Sequence, residues 1–279
     1  MTYNQKLQNE KINEKAFYEL TNFRLYPKFL KKNLEKRFKK IAKHLIGLKI
    51  EYFLYRQWEK ETRFSDIIEK KWLPRRAVEH YHGDVLKLEV NPLTLTELTD
   101  FKNKKERRYK ERHFIWDGDW DIETTTFKNT FRFRLLSDIW RHRENLKQSE
   151  YYQEFTEMLK ERTPYKSYNT YHRGVYLDSE EKIYKFLQIY LIFMKQMQEF
   201  GYDETLTNDP LYVAVTRNGA LLKTVKGLHR LAMAQIVGLD KIPVRIMGIH
   251  RIWWDANTKG LKRQKDRIPK ALEHLITKR

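Results

Sequence analysis

The stretch Leu211–His250, LYVAVTRNGALLKTVKGLHRLAMAQIVGLDKIPVRIMGIH, limits what this chain can fold into more than any other part of it. Tyr212–Thr216 alternates and is rich in β-branched residues, so it reads as a strand. Asn218-Gly219 comes next, a pair suited to a two-residue type I′ turn because that turn needs positive φ at both centres. Ala220–Val225 then returns as the partner strand. Past Gly227 the period changes: residues 229–237 are helix formers with Leu231, Ala234 and Ile236 over an apolar side. Gly238 stands where a helix-ending glycine belongs, and Pro243–Ile246 is a further strand. The order is hairpin, glycine turn, helix, strand.

Chemistry enters at Lys226-Gly227-Leu228-His229-Arg230. Glycine lets a backbone come close to a ligand. The first turn of the next helix has unpaired N–H groups and the positive end of the dipole, which together attract anions. Arg230 can take a phosphate bidentately, and His229 adds a donor. The spacing alone serves equally for a helix start whose His and Arg face water.

KGLHRLAMAQIVGLDKIPVRI resembles the core of the ParB/sulfiredoxin-like superfamily. The resemblance covers about forty residues, Leu211–His250. It implies a small mixed-sheet α/β fold binding nucleoside phosphates at the glycine turn, through Lys226, Gly227, His229 and Arg230. Activities it brings into view are CTP-switched DNA clamps, ATP-dependent sulfinic acid reduction, and kinases of small hydroxyl compounds. Two departures narrow these. Sulfiredoxins carry a cysteine where Leu228 stands, and the chain has no cysteine, which excludes thiol chemistry and any disulfide partner. After His250 only 29 residues remain (279 − 250), too few for the helix-turn-helix domain and dimerisation tail of partition proteins.

A second constellation, HFIWDGDWDIETTTF, opens with a short apolar strand, Phe114–Trp116. Beyond it lies a tight acidic turn, with Asp117, Asp119 and Asp121 flanked by Trp116 and Trp120. Like charges this close raise one another's pKa unless a cation sits among them, and Mg²⁺ with phosphate oxygens is one such cation. The plain alternative is an Asp-Gly turn with a capping aspartate and core indoles. Gly118-Asp119-Trp120-Asp121 is also similar to segments that accompany the same core in proteins from surface-polysaccharide gene contexts. From this pairing Asp119 and Asp121 are expected as catalytic carboxylates and Asp117 and Asp119 as Mg²⁺ ligands. His250 is expected as an acid/base group at the last strand's end, with Arg217, Trp120 and Trp253 lining a substrate pocket.

Net charge is +19, from 56 Lys+Arg against 37 Asp+Glu, which calls for an anionic partner. Residues 1–72 read as helical and basic: Phe29, Leu34, Phe38, Ile41, Leu45 and Leu48 fall near a helical period, with Lys31, Lys32, Lys36, Arg37, Lys39, Lys40 and Lys43 on the other faces. Such a helix can lie on an anionic membrane, grip a phosphate backbone or pack on a core. No transmembrane-length apolar run and no signal-peptide core is present, so a cytoplasmic protein, peripheral at the membrane, is expected.

Elsewhere a strand is expected at Val85–Val90, a helix start or loop at Thr94–Thr99, and a solvated charge run at 102–112. Residues 145–175 read as a surface excursion. SEEKIYKFLQIYLIFMKQMQEFG reads as a long buried helix, and the final 24 residues as a basic peripheral tail. The expected organisation is α+β: a basic helical region over 1–74, a core over 75–255 with a helical insertion at about 127–200, and a tail over 256–279. The expected function is nucleotide-dependent phosphoryl transfer, with ATP or another nucleoside phosphate and Mg²⁺, to the hydroxyl of a small molecule or surface-glycan precursor. The alternatives are a ParB-like nucleic-acid binder without catalysis and an Mg²⁺-dependent nuclease.

Overall fold

The computed structural model describes residues 14–21, 47–167, 174–204, 210–261 and 263–277. The basic repeat expected over 24–48 falls almost wholly outside them. The fold is α+β and divides into two compact units.

The first unit holds, among the described residues, 47–128, 210–227 and the segment from Lys241 onward. Its helices are α1 (47–59), α2 (Ser65–Lys71), α3 (Arg75–His82) and α4 (Lys104–Lys110). Its strands are β1 (Lys87–Val90), β2 (Glu97–Thr99), β3 (Ile115–Trp116), β4 (Thr124–Thr126), β7 (Tyr212–Val215), β8 (Leu221–Lys223) and β9 (Ile242–His250). They form one mixed sheet in the order β1-β9-β7-β8-β2-β4, with β3 beside β9. All four residues of β7 are buried, as a strand covered on both faces requires. Thr94–Thr99 departs from expectation: Glu97–Thr99 is a strand, because it finds β4 on one side and Leu98 pairs with Lys223 on the other. A cross-strand partner overrides weak local preference.

The hairpin after β7 also differs from the type I′ form. Only Gly219 has a positive φ, 88°. The loop spans three residues, closed by Thr216 N–H to Ala220 O at 2.9 Å, with Asn218 Oδ1 accepting from Ala220 N–H at 3.3 Å. A three-residue loop needs the left-handed conformation only at its glycine. Behind it, α9 (Arg251–Thr258) and α10 (Gln264–Thr277) close the unit. The tail expected at the periphery is thus core: Ile268, Ala271 and Leu272 are fully buried.

Strand direction decides where the turns sit. β3 and β7 both run parallel to β9, so the carboxyl ends of all three lie at one edge. β8 runs antiparallel to β7, so the segment after β8 returns to the amino end of β7.

The second unit holds residues 14–21, 129–167, 174–204 and Leu228–Asp240. It contains α5 (Phe131–Arg141), α6 (Glu150–Lys160), the two-stranded pair β5 (Lys166–Ser167) and β6 (Val175–Tyr176), α7 (Glu180–Phe200) and α8 (Leu228–Val237). The excursion expected over 145–175 instead carries α6, whose Tyr151, Tyr152 and Phe155 are buried. Ser149 caps that helix, and buried Asp138 accepts from Glu150 N–H and Tyr151 N–H at 3.2 and 3.0 Å. The long helix α7 starts at the Ser179 cap and ends at Gly201, φ 76°, as its sequence requires. In α8, Leu231 through Gln235 are all buried, so the helix is covered around its girth and not on one face. Among the described residues no helix is long and apolar enough to cross a membrane.

Candidate functional site

At the carboxyl ends of β3, β9 and β7 three chain segments meet: Asp117–Asp121, His250-Arg251 and Arg217. Ligands of open parallel sheets bind at such edges, which makes this cluster the natural first candidate. The Asp121 side chain is 2% exposed. It accepts from the Arg217 backbone N–H at 2.8 Å, from Nε at 3.0 Å and from Nη2 at 2.7 Å. Nη2 also donates to Asp119 at 2.8 Å. Burial by itself would raise the Asp121 carboxyl, but the hydrogen bonds and charge of Arg217, aided by His250, outweigh it and hold the group below its ordinary value.

His250 is 2% exposed. Its Nδ1 accepts from Ile252 N–H at 3.1 Å, capping α9, which leaves the proton on Nε2 to be donated to Gly118 O at 3.0 Å. Asp117 accepts from Arg251 Nε at 3.0 Å, and Arg251 Nη2 reaches Glu69 O and Lys70 O at the end of α2.

Lys110, hidden in a run read as solvated, is 3% exposed. Its ammonium donates to Asp117 O and sits 5.8 Å from the rings of both Trp116 and Trp120. Burial lowers its pKa from 10.5 to about 8. Between those values the unfolded chain binds a proton that the folded chain has released, so this lysine's contribution to stability rises with pH from about 8 to 10.5. Urea unfolding of wild type and Lys110→Met at pH 7.5 and about pH 10 reads this: the gap should shift toward wild type at the higher pH. A gap that stays constant would contradict the assignment.

This cluster closes on itself. Three carboxylates face Arg217, Arg251 and Lys110, and both His250 nitrogens are engaged. The Mg²⁺ expected at Asp117 and Asp119 does not fit: one is drawn to Arg251, the other to Arg217, and among the described residues no three His, Asp or Glu side chains gather as a metal set. Arg217, expected to line a substrate pocket, is engaged by Asp121 and Asp119, which raise its pKa further. Trp120 and Trp253, expected beside it, are 3% and 8% exposed. Trp120 stacks on His250 with centroids 5.7 Å apart, and the Trp253 indole nitrogen lies 2.8 Å from where a Cβ on Gly219 would sit. Of the expected catalytic groups only Asp119, 70% exposed, stands open to solvent.

At the amino end of β7 the other turn is built differently. Lys223 is fully buried, and its ammonium donates to Tyr212 O at 2.9 Å, to Thr224 O at 2.6 Å and to Lys226 O. Gly227 has φ 78°, and a Cβ there would lie 3.3 Å from Leu211 Cα. The Lys226 ammonium stands 5.4 Å from the Tyr212 ring centroid. In the helical unit, His229 stacks on Tyr190 at 5.6 Å and Arg230 Nη1 donates to Tyr202 Oη at 2.8 Å.

Leu211 touches the glycine turn before β7 and Arg217 holds the acidic bend beyond it, so the whole four-residue strand, roughly 13 Å at 3.3 Å per residue, lies between them. The expectation that Asp117–Asp121 confronts Gly227 is therefore corrected: the two turns occupy opposite ends of β7, because β8 runs back along it.

No family model, curated protein or solved structure matches this chain. The choice between the two ends of β7 rests on geometry. Sequence reasoning missed the lysines that organise each end, Lys110 and Lys223. Lys110 sits in a charge run and Lys223 in a short strand with two leucines before it, and neither pattern marks an interior cation.

Proposed function

We propose that the chain binds a nucleoside phosphate with its phosphates on the turn running from Val225 to Arg230, and that it transfers a phosphoryl group to a hydroxyl compound in the cytoplasm. The observation that carries this reading is the Lys223 ammonium. In a trans peptide the C=O and the next N–H point in opposite directions. With Thr224 O and Lys226 O drawn onto Lys223, the N–H groups of Val225 and Gly227 face away from it. Neither has a hydrogen-bond partner among the described residues. Two outward N–H groups on one short turn favour an anion placed between them.

Lys226 adds charge to this turn, and His229 and Arg230, which follow it in sequence, are the further donors that the resemblance implies. Glycine suits position 227, since its positive φ would strain any other residue and a Cβ there would crowd Leu211. Phosphoryl transfer depends mainly on positioning and charge neutralisation, which such a turn supplies. Asp119 and Asp121 receive no part in it, and the resemblance to the kinase branch of the ParB/sulfiredoxin-like superfamily supplies the acceptor class, a small molecule or surface-glycan precursor.

Calorimetric titration with ATP, ADP and CTP tests the binding. Wild type should bind at least one of them, and Arg230→Ala should weaken that binding about tenfold or more, as loss of a bidentate phosphate contact does. Absence of binding in wild type at millimolar nucleotide sinks the reading. Turnover with a panel of hydroxyl acceptors then tests the transfer. A net charge of +19 favours one second reading, a nucleic-acid binder, whose log affinity would fall by about 0.9 per phosphate contact with log salt.

A further inference from the structure

The hairpin of α1 and α2 has two unlike sides. Its inner side holds the buried Tyr55 and Trp58 of α1 and Ser65 and Ile68 of α2. Ser65 Oγ donates to Gln57 O at 3.1 Å and Trp58 Nε1 to Glu69 at 2.7 Å, which locks the two helices together. The outer side is apolar and basic at once. On α1 the exposed residues Lys49, Phe53 and Arg56, with Lys60 just past the helix end, are spaced by four, three and four, so they form one stripe, with Ile50 beside it. On α2, exposed Phe64, Ile67 and Lys71 repeat that spacing at three and four, and exposed Trp72 follows. Ile50, Phe53, Phe64, Ile67 and Trp72 are between 46% and 61% exposed.

Charge on this hairpin is nearly one-signed. Lys49, Arg56, Lys60, Arg63, Lys70 and Lys71 are exposed, against the exposed carboxylates of Glu61 and Asp66. Asp255 on α9 is a third exposed carboxylate, within electrostatic reach of Lys70. The hairpin's other carboxylates are half-buried and already held, Glu51 by Arg76, Glu59 by Arg56 and Glu69 by Arg267. Large apolar side chains set among cations match the boundary of an anionic bilayer, where rings and aliphatic chains enter the headgroup layer and ammonium groups meet lipid phosphates. A nucleic acid would engage the cations and leave Ile50 and Ile67 in water. A second copy of the chain would set cation against cation.

We propose that the exposed stripes of the α1–α2 hairpin dock the chain on an anionic lipid surface. The nucleotide reading is not needed for this, since no residue of the Val225–Arg230 turn takes part. Co-sedimentation of the full chain with vesicles of phosphatidylcholine, alone or mixed with phosphatidylserine, tests it. Wild type should bind the mixed vesicles and not the neutral ones, and added salt should weaken the binding. The double variant Phe53→Ser, Ile67→Ser should weaken it about tenfold or more, through lost apolar burial. The double variant Lys49→Gln, Lys71→Gln should weaken it about fivefold for each charge removed. All four side chains are exposed, so circular dichroism and melting temperature should match wild type, and each pair stands in for the other should one disturb the fold. Failure of wild type to bind mixed vesicles, or equal binding to neutral ones, overturns the proposal. So does full binding by both double variants, which would assign attachment to another part of the chain, such as the basic repeat of residues 24–48. A changed oligomeric state in Phe53→Ser, Ile67→Ser with vesicle binding intact would give the surface to a second copy and overturn the lipid reading.

Discussion

Lys223→Met is expected to lower the chain's stability by about 3 kcal/mol and to weaken nucleotide binding more than tenfold at temperatures where the variant remains folded. The two effects have one origin. Tyr212 O keeps partners without the ammonium, because Thr224 N–H and the Thr224 hydroxyl reach it at 3.2 and 3.1 Å. The carbonyls of Thr224 and Lys226 lose the donor that orients them. A buried carbonyl left unpaired costs about 1–3 kcal/mol, and removal of the buried ammonium's own desolvation cost offsets part of the sum. The released peptides are free to rotate, and their N–H partners at Val225 and Gly227 no longer present a common direction. Thr224→Val separates structure from binding: it removes the hydroxyl contact with Tyr212, should cost about 1 kcal/mol, and should leave nucleotide affinity within about twofold. Equal affinities for wild type and Lys223→Met would show that the ammonium does not shape the site.

Gly248→Ala is expected to be the most damaging single methyl group in the sheet, at about 3 kcal/mol, or a drop in melting temperature of roughly 6–12 °C. A Cβ at this position would lie 2.2 Å from Trp116 Cε2, 2.6 Å from Cζ2 and 2.6 Å from Nε1. The indole has no route of retreat. It is fully buried, donates to His113 O at 2.7 Å, and packs edge-on against Trp120 with centroids 5.0 Å apart. Gly248 comes just after the irregularity between Val213 and Ala214 that puts Met247 out of register, so the strand is already adjusted to admit this ring. Displacement of Trp116 should pass to Trp120 and the acidic bend, and near-ultraviolet circular dichroism would record it. The double variant Gly248→Ala, Trp116→Phe should recover part of the loss, because the smaller ring vacates the space. A Gly248→Ala protein that melts with wild type would refute the packing described.

Local order around the glycine turn was legible from residue pattern alone. β-branched alternation made β7, Asn218-Gly219 reversed the chain, and Gly227 and Gly238 bracketed α8. Each of these depends on interactions within a few residues, where pattern and conformation are directly coupled. The same holds for the Ser179 cap and apolar stripe of α7. Burial of charge was not legible. Nothing near Lys110 or Lys223 distinguishes an interior ammonium from a solvated one, since the groups that receive them are carbonyls and rings brought up by other segments. Apolar residues of the closing segment are visible in the sequence, but their partners are not, so α10 reads there as a tail.

The chain's own order of residues determined that a glycine turn follows β8 and that an acidic bend follows β3. Only the tertiary structure decided that they stand at opposite ends of β7. That outcome arises because β3 and β7 pair parallel to β9 while β8 pairs antiparallel to β7. The direction of β3 is settled by its contact with β9, Ile115 beside Ile249 and 134 residues apart (249 − 115), whose energy no local pattern contains.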